Sequence, residues 1–165
     1  MDLAWGYATD TRQRGENQDC HGVFQFSNCL LTVVCDGMGG HAGGAQASAL
    51  AVRTIYDTIE DKSESPIRTA LAEAIRKANR TIYETGRKSH RLQGMGTTVV
   101  AAAIEDNVAH VAHVAHVAQP SVRTHRVLGE DAEASVLAPH CVAMIAKTVT
   151  FRGASRARAC APPLE

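Results

Sequence analysis

The sequence has little that would mark a membrane protein, a secreted protein or a nucleic-acid-binding protein. Its 165 residues carry 17 Lys and Arg against 17 Asp and Glu, so no net charge attracts nucleic acid or an anionic membrane. No apolar run approaches the roughly 20 residues that span a bilayer, and residues 1–5 lack the features of a signal peptide. The five cysteines never stand in C-x-x-C spacing, which favours reduced, buried thiols over disulfides or a zinc site. We therefore expect a cytoplasmic protein with one sizeable core and no membrane or nucleic-acid partner.

The most informative stretch covers residues 30–48, which read L-L-T-V-V-C-D-G-M-G-G-H-A-G-G-A-Q-A-S. Its first residues form a continuous apolar run, as in a strand that is buried on both faces. The run ends at Asp36, and five glycines follow within residues 37–44 before a helical pattern begins near Ala45. A carboxylate at the end of a rigid strand is well held for metal binding. The glycines let backbone groups approach a ligand closely.

The remaining chain alternates strand pairs with helices. Ser27 and Asn28 form a two-residue turn between strands at 23–26 and 29–35, which predicts an antiparallel hairpin. Apolar residues at helical spacing predict a helix over 45–61 and a second one after Pro66, with Ser65 as its N-cap. Further strands are predicted at residues 3–9, 97–104 and from 108 onward. This order predicts an α/β class, an α+β layered sandwich with antiparallel sheets, and not a βαβ alternation.

Three blocks of the sequence resemble one protein family. They are R-G-E-N-Q-D at 14–19, D-G-M-G-G-H at 36–41 and G-M-G-T-T at 94–98. In this order and spacing they resemble the metal-dependent protein serine/threonine phosphatases, the PPM or type 2C family, in its bacterial form. The resemblance implies two stacked antiparallel sheets flanked by helix pairs. It also implies hydrolysis of phosphoserine and phosphothreonine by two Mn²⁺ or Mg²⁺ ions, with phosphorylated proteins and a Ser/Thr protein kinase as partners.

The resemblance also assigns roles to individual residues. Asp36 would bridge the two metals, with the backbone carbonyl of Gly37 as a further ligand. Asp19 would orient metal-bound water, and Arg14 would grip the phosphate as a planar bidentate donor. The alternatives are a solvated turn for Asp36 and a surface role for Arg14.

Two further candidates come from the same blocks. Gln18 stands where many family members carry a metal-linked Glu, and His41 is a candidate general acid near the site. Thr97 and Thr98 are interpreted as structural residues of the following strand.

A rival reading of the glycine-rich stretch is a dinucleotide-binding fingerprint. Gly37, Gly39 and Ala42 follow a strand and precede a helix, as that motif requires. The fingerprint also needs an acidic residue at the end of a second strand, whereas Asp57 and Glu60 fall within a helical pattern. This reading is therefore disfavoured.

The resemblance stops near residue 115. Val-Ala-His occurs three times over 108–116, and Ala115–Ala118 replaces a Gly-Asp-Ser-Arg block of the family. On a strand, histidines three residues apart alternate between faces and cannot share one ion. Two later acidic blocks of the family, S-D-G and D-N, are also absent. We therefore divide the chain into 1–118, the N-terminal part of an incomplete phosphatase domain, and 119–165, a degenerate or frameshift-like tail that is partly disordered.

These gaps leave a second hypothesis open. The chain would then be a catalytically inactive pseudophosphatase remnant that binds metal or phosphoproteins at most weakly, because too few carboxylates remain to hold two hard cations.

Overall fold

The structure is a computed structural model that describes residues 6, 8–9, 16–39, 41–106, 108–117 and 125–128. In this part of the chain, five antiparallel strands form one sheet in the order β1-β2-β3-β4-β5, and two helices pack on one of its faces. The elements are β1 (Asp19–Gln25), β2 (Leu30–Met38), α1 (His41–Asp61), α2 (Ile67–Lys88), β3 (Gly96–Glu105), β4 (Val108–Val117) and β5 (His125–Leu128). A 3-10 turn at His90–Leu92 connects α2 to β3. The predicted α/β class with an antiparallel sheet is confirmed. The described residues supply one sheet and one helix pair of the expected two-sheet, PPM-like architecture.

Strand β2 is buried on both faces, as its continuous apolar run predicts. Leu31 and Val33 point towards the helices and are fully buried in the core. Leu30 and Thr32 point to the other face and are 1% and 3% exposed. The strand lies between β1 and β3, and this central position holds its carboxyl end, which carries Asp36, in a fixed place.

The two helices bury the apolar stripes that the sequence predicts. The buried stripe residues are Ala47, Ala51, Ile55 and Ile59 on α1, and Leu71, Ile75, Ala78 and Ile82 on α2. Each large aliphatic side chain buried in this way stabilises the fold by about 1.5–3 kcal/mol. The sheet is therefore a rigid support for residues at its edge.

Some boundaries differ from the sequence predictions. Helix α1 begins four residues earlier than Ala45, and α2 begins at Ile67. The prediction that Ser65 caps α2 is wrong: Pro66 is the N-cap residue, and no side chain caps the helix. Pro66 has an extended ψ of 127°, and its carbonyl accepts hydrogen bonds from the N–H groups of Thr69 and Ala70. The proline itself, and not the serine, thus closes the first turn.

The two ends of the chain are described only in part. The predicted strand at 3–9 lies mostly outside the described residues, and Gly6, Ala8 and Thr9 have no regular structure. Within the predicted tail, β5 pairs with β4 through Val111 and Leu128. The division into 1–118 and 119–165 stays a prediction. Neither α1 nor α2 combines the length and apolar character that a transmembrane helix needs.

Candidate active site

Asp19 and Asp36 face each other across β1 and β2, which the register of the hairpin fixes. The N–H of Phe26 donates to the carbonyl of Cys29 (2.8 Å), so the turn closes on a hydrogen-bonded pair. Hydrogen-bonded and non-hydrogen-bonded pairs alternate along an antiparallel ladder. At the far end of the hairpin, the N–H of Gly37 donates to the carbonyl of Gln18 (3.1 Å), so Gln18 and Gly37 are a hydrogen-bonded pair, as this alternation requires. The neighbouring pair, Asp19 and Asp36, is therefore non-hydrogen-bonded, with Cα atoms about 4.5 Å apart and side chains close together.

Both carboxylates lie on the sheet face that points away from the helices. Cys20 and Cys35 are the next cross-strand pair, and their side chains face the helical layer, so the alternation of the strand turns Asp19 and Asp36 the other way. Both aspartates are exposed. Like charges directly opposite each other destabilise a sheet. A divalent cation between them would replace this repulsion with attraction, so the pair has the charge arrangement of a cation site.

Two threonines of β3 hold the backbone of Asp36. The N–H of Asp36 donates to Oγ1 of Thr98 (3.1 Å), and Oγ1 of Thr97 donates to the carbonyl of Asp36 (3.0 Å). Thr97 is fully buried, so this contact is shielded from competing water. Sequence reasoning treated both threonines as strand residues and missed that they position Asp36. Their hydroxyls at the start of the strand were the available signal.

The glycines after Asp36 allow two backbone segments to touch. A Cβ atom on Gly37 would overlap the carbonyl of Gly44, and one on Gly44 would overlap the side-chain oxygen of Gln18. Oγ of Ser48, a buried residue of α1, donates to the carbonyl of Gln18 (2.7 Å). These contacts fasten the start of β1 and the end of β2 to α1. The sequence analysis did not single out Ser48, although it belongs to the glycine-rich block.

The predicted site residues are only partly brought together. Asp19, Asp36 and the backbone of Gly37 are adjacent at one edge of the sheet. The side chain of Gln18 lies against Gly44, on the helical side of the sheet and away from the carboxylate pair. Arg14 lies outside the described residues. His41 is the first residue of α1, and its side chain also lies outside the described part.

The donor set fits part of a metal centre. Carboxylate and carbonyl oxygens are the ligands that Mg²⁺ and Mn²⁺ prefer. Among the described residues, however, no group of three or more His, Cys, Asp or Glu side chains could hold a metal ion. The described residues therefore bring two carboxylates together, with no third acidic, His or Cys side chain beside them.

The histidine repeat does not add ligands. His110 is opposite Ala103 in the β4 ladder and His113 is opposite Val100. Ala103 belongs to the core under the helices, whereas Val100 lies on the other face, so the two histidines point to opposite sides of the sheet. These two histidines of the repeat therefore cannot share one ion.

The cysteines beside the site are neutral thiols. Burial raises the pKa of Cys35 well above its ordinary value, with a smaller contribution from Cys20, and burial also raises the pKa of Cys20. Cys20, Cys29 and Cys35 are free cysteines. A thiol with a raised pKa is a poor nucleophile and a poor metal ligand at neutral pH. The chemistry of this edge therefore depends on oxygen ligands.

The antiparallel sheet with its helix pair defines an α/β protein, and the paired carboxylates at one edge of the sheet are its candidate cation site. Comparison with known proteins identifies the family. A family model described as Protein phosphatase 2C matches residues 9–135. The chain belongs to the protein phosphatase 2C family.

Named relatives agree with this assignment. Serine/threonine phosphatase stp of Listeria monocytogenes (serotype 4b, strain F2365) is 38% identical over 96 residues, which cover 55% of this chain and 38% of that protein. PstP of Mycobacterium tuberculosis (strain H37Rv) is 31% identical over 94 residues, covering 57% of this chain and 18% of that protein. The crystal structure of Stp1 from Staphylococcus aureus superposes with a TM-score of 0.61 at 30% identity, covering 69% of this chain and 47% of that chain. This chain thus spans less than half the length of these three relatives.

Proposed function

We propose that this chain is the first half of a metal-dependent protein phosphatase that hydrolyses phosphoserine and phosphothreonine in proteins. The observation that carries the proposal is the cross-strand pair of Asp19 and Asp36, two exposed carboxylates held opposite each other at the end of a buried strand. Two carboxylates that face each other on the same side of a sheet are placed to share a divalent cation, and Mn²⁺ and Mg²⁺ are the cations that prefer such oxygen ligands.

Each site residue has a definite task in this proposal. Bound divalent metals supply an activated water and neutralise charge on the phosphoryl group. Asp36, Asp19 and the carbonyl of Gly37 would hold the metal, and Asp19 would also orient the metal-bound water. Arg14 binds the phosphate oxygens through its guanidinium group. Gln18 and His41 remain candidates for a metal-linked role and for the general acid.

Relatives support this chemistry. The proteins from Listeria and Mycobacterium are named serine/threonine phosphatases. The catalytic domain of PstP has been solved in complex with 2 manganese ions, and it superposes on this chain with a TM-score of 0.57 at 29% identity, covering 68% of this chain and 47% of that one. By analogy we propose two metal ions, phosphorylated proteins as substrates, a Ser/Thr protein kinase that supplies them, and a cytoplasmic location. The remaining carboxylates would come from outside the described residues.

A second candidate function is that of a pseudophosphatase remnant. It is favoured by the two-carboxylate donor set, since the described residues contain no group of three acidic, His or Cys side chains around a common point. Such a chain would bind a metal or a phosphoprotein weakly and would not turn over substrate.

Hydrolysis of a phosphothreonine peptide by the purified chain with Mn²⁺ separates the two functions. The test variant is Asp36→Asn, and the matched control is Asp61→Asn, which removes an exposed carboxylate at the end of α1. The phosphatase proposal expects Mn²⁺-dependent release of phosphate that Asp36→Asn abolishes and Asp61→Asn leaves unchanged. If the unaltered chain releases no more phosphate than Asp36→Asn, this chain is not an enzyme on its own and the remnant function stands.

A further inference from the structure

A cleft lies between the last turns of α2 and the segment that leads into β3. Its volume is about 390 Å³, and it is separate from the carboxylate pair. The buried side chains of Ile82 and Met95 form its floor. Gly86 lets the helix approach this segment, because a Cβ there would lie 3.2 Å from the carbonyl oxygen of Leu92. The cleft is therefore part of the packing of the fold, and its floor is rigid.

The rim of the cleft is basic. Arg87, Lys88 and His90 line it, and none of its lining residues is acidic. Arg87 and Lys88 are exposed, and no ion pair joins either of them to an acidic group among the described residues. Arg87 also stacks over the ring of Tyr83, with 5.7 Å between its guanidinium carbon and the ring centre. This contact holds the cation over the cleft.

A purely structural explanation covers only part of this arrangement. Cations in the last turn of a helix stabilise it by interacting with the helix dipole. That effect accounts for Arg87 and Lys88 in α2. It does not account for His90 beyond the helix end, or for a concave surface with an apolar floor between the charges.

The cleft adjoins the glycine-rich stretch of the active site. A Cβ on Gly39 would lie 2.6 Å from Cα of Met95 and 2.8 Å from the carbonyl oxygen of Gly94, so these backbones are in contact. Gly39 follows Asp36 by three residues, which span about 10 Å in extended form. The cleft therefore adjoins the backbone segment that follows Asp36, on the helical side of the sheet.

We infer that the cleft binds an acidic segment of a polypeptide substrate. Glutamate or aspartate side chains meet Arg87 and Lys88, with His90 beside them, and apolar parts of the segment cover the floor. This inference rests on the proposed function for the identity of the substrate, but binding of the acidic segment itself requires neither metal nor hydrolysis.

The test is a fluorescence anisotropy titration of the full chain with a labelled, unphosphorylated, glutamate-rich peptide, without metal. The test variant is Arg87→Ala/Lys88→Ala. The matched control is Arg76→Ala/Lys77→Ala, which removes an exposed Arg-Lys pair from the middle of the same helix. Thermal unfolding of each variant establishes that it is folded.

We expect the test variant to weaken peptide binding about tenfold and the control to change it less than about twofold. The glutamine counterpart of the peptide should bind the unaltered chain no better than the test variant binds the glutamate peptide. Equal losses in the two double variants would overturn the inference, because they would indicate diffuse attraction to any cation. Full displacement of the peptide by inorganic phosphate or by an oligonucleotide would also overturn it.

The Asp36→Asn variant distinguishes this inference from the proposed function. It should bind the acidic peptide as the unaltered chain does, whether or not the chain hydrolyses phosphothreonine. Hydrolysis with equal kcat/KM for glutamate-rich and glutamine-rich phosphopeptides would overturn the cleft inference and leave the phosphatase proposal intact. Binding of the acidic peptide without any hydrolysis would overturn the phosphatase proposal and leave the cleft inference intact.

Discussion

Removing one carboxylate of the cross-strand pair should stabilise the metal-free protein and eliminate its response to metal. Two charges about 5 Å apart in water repel each other by about 0.8 kcal/mol, and cross-strand pairs contribute about 0.2–1 kcal/mol. Asp36→Asn keeps the shape of the side chain and removes this repulsion from Asp19. We therefore expect its free energy of unfolding without metal to rise by up to about 1 kcal/mol, although most variants of natural proteins lose stability.

The response to Mn²⁺ should change in the opposite direction. A ligand that binds only the folded state stabilises it by about 2.7 kcal/mol at one hundred times its Kd. For a domain of this size, that gain corresponds to a rise in Tm of about 5–10 °C. The unaltered chain should show a Tm that increases with Mn²⁺ concentration, and Asp36→Asn should show almost none of this increase.

The assay is thermal unfolding followed by circular dichroism, with and without Mn²⁺, for the unaltered chain, Asp36→Asn and the control Asp61→Asn. The control should keep the full response to Mn²⁺. If Asp36→Asn retains the Mn²⁺-dependent rise in Tm, the carboxylate pair is not the metal site. The register of the hairpin predicts that the two carboxylates repel each other. A large decrease in the free energy of unfolding of Asp36→Asn without metal would contradict this prediction.

Three further predictions concern the packing around the site. Burial raises the pKa of the Cys35 thiol in the folded state, so as pH rises this thiol is deprotonated in the unfolded chain before it is deprotonated in the folded one. Its contribution to the free energy of unfolding should therefore be complete below the pKa of the unfolded thiol. Above that pKa the free energy of unfolding should fall by about 1.4 kcal/mol per pH unit. Between pH 8 and pH 10, the free energy of unfolding measured with urea should fall less in Cys35→Ala than in the unaltered chain. Equal falls in the two proteins would contradict this prediction. Gly37→Ala should lower the free energy of unfolding by about 1–3 kcal/mol, because the added methyl group would overlap backbone atoms. Gly43→Ala should lower it less, because the nearest contact there is a side-chain carbon at 3.2 Å. The buried Nδ1 of His110 has no hydrogen-bond partner, so His110→Leu should raise the free energy of unfolding by about 1 kcal/mol, and a lower value would refute that reasoning.

The central strand and the helices are predicted well from the sequence, because the spacing of neighbouring apolar residues indicates which of their faces are buried. The apolar run from Leu30 and the stripes through Ile55 and Ile75 contain the signal within a few turns or residues. The N-cap of α2 is predicted wrongly because Ser65 and Pro66 are both common near helix starts. Their order alone does not decide which of the two adopts the extended backbone.

The carboxylate pair could have been found from the turn. If Ser27 and Asn28 form a two-residue turn, the numbers of any two residues that pair across the hairpin add up to 55. Asp19 must therefore lie opposite Asp36. The sequence predicts the first hairpin strand only from residue 23, whereas β1 begins at Asp19, because the segment D-C-H-G-V-F-Q lacks clean alternation and contains Gly22. Thr97 donates a hydrogen bond to Asp36 and Thr98 accepts one from it across 61 and 62 residues of sequence, and no local pattern encodes such contacts.

The most direct test of the metal site is diffraction from a crystal of this chain grown with Mn²⁺, using the anomalous signal of manganese. The account predicts an anomalous peak between Asp19 and Asp36, with carboxylate oxygens of both residues about 2.1 Å away. Manganese bound only elsewhere, or no peak at this edge of the sheet when Mn²⁺ is saturating, would contradict it.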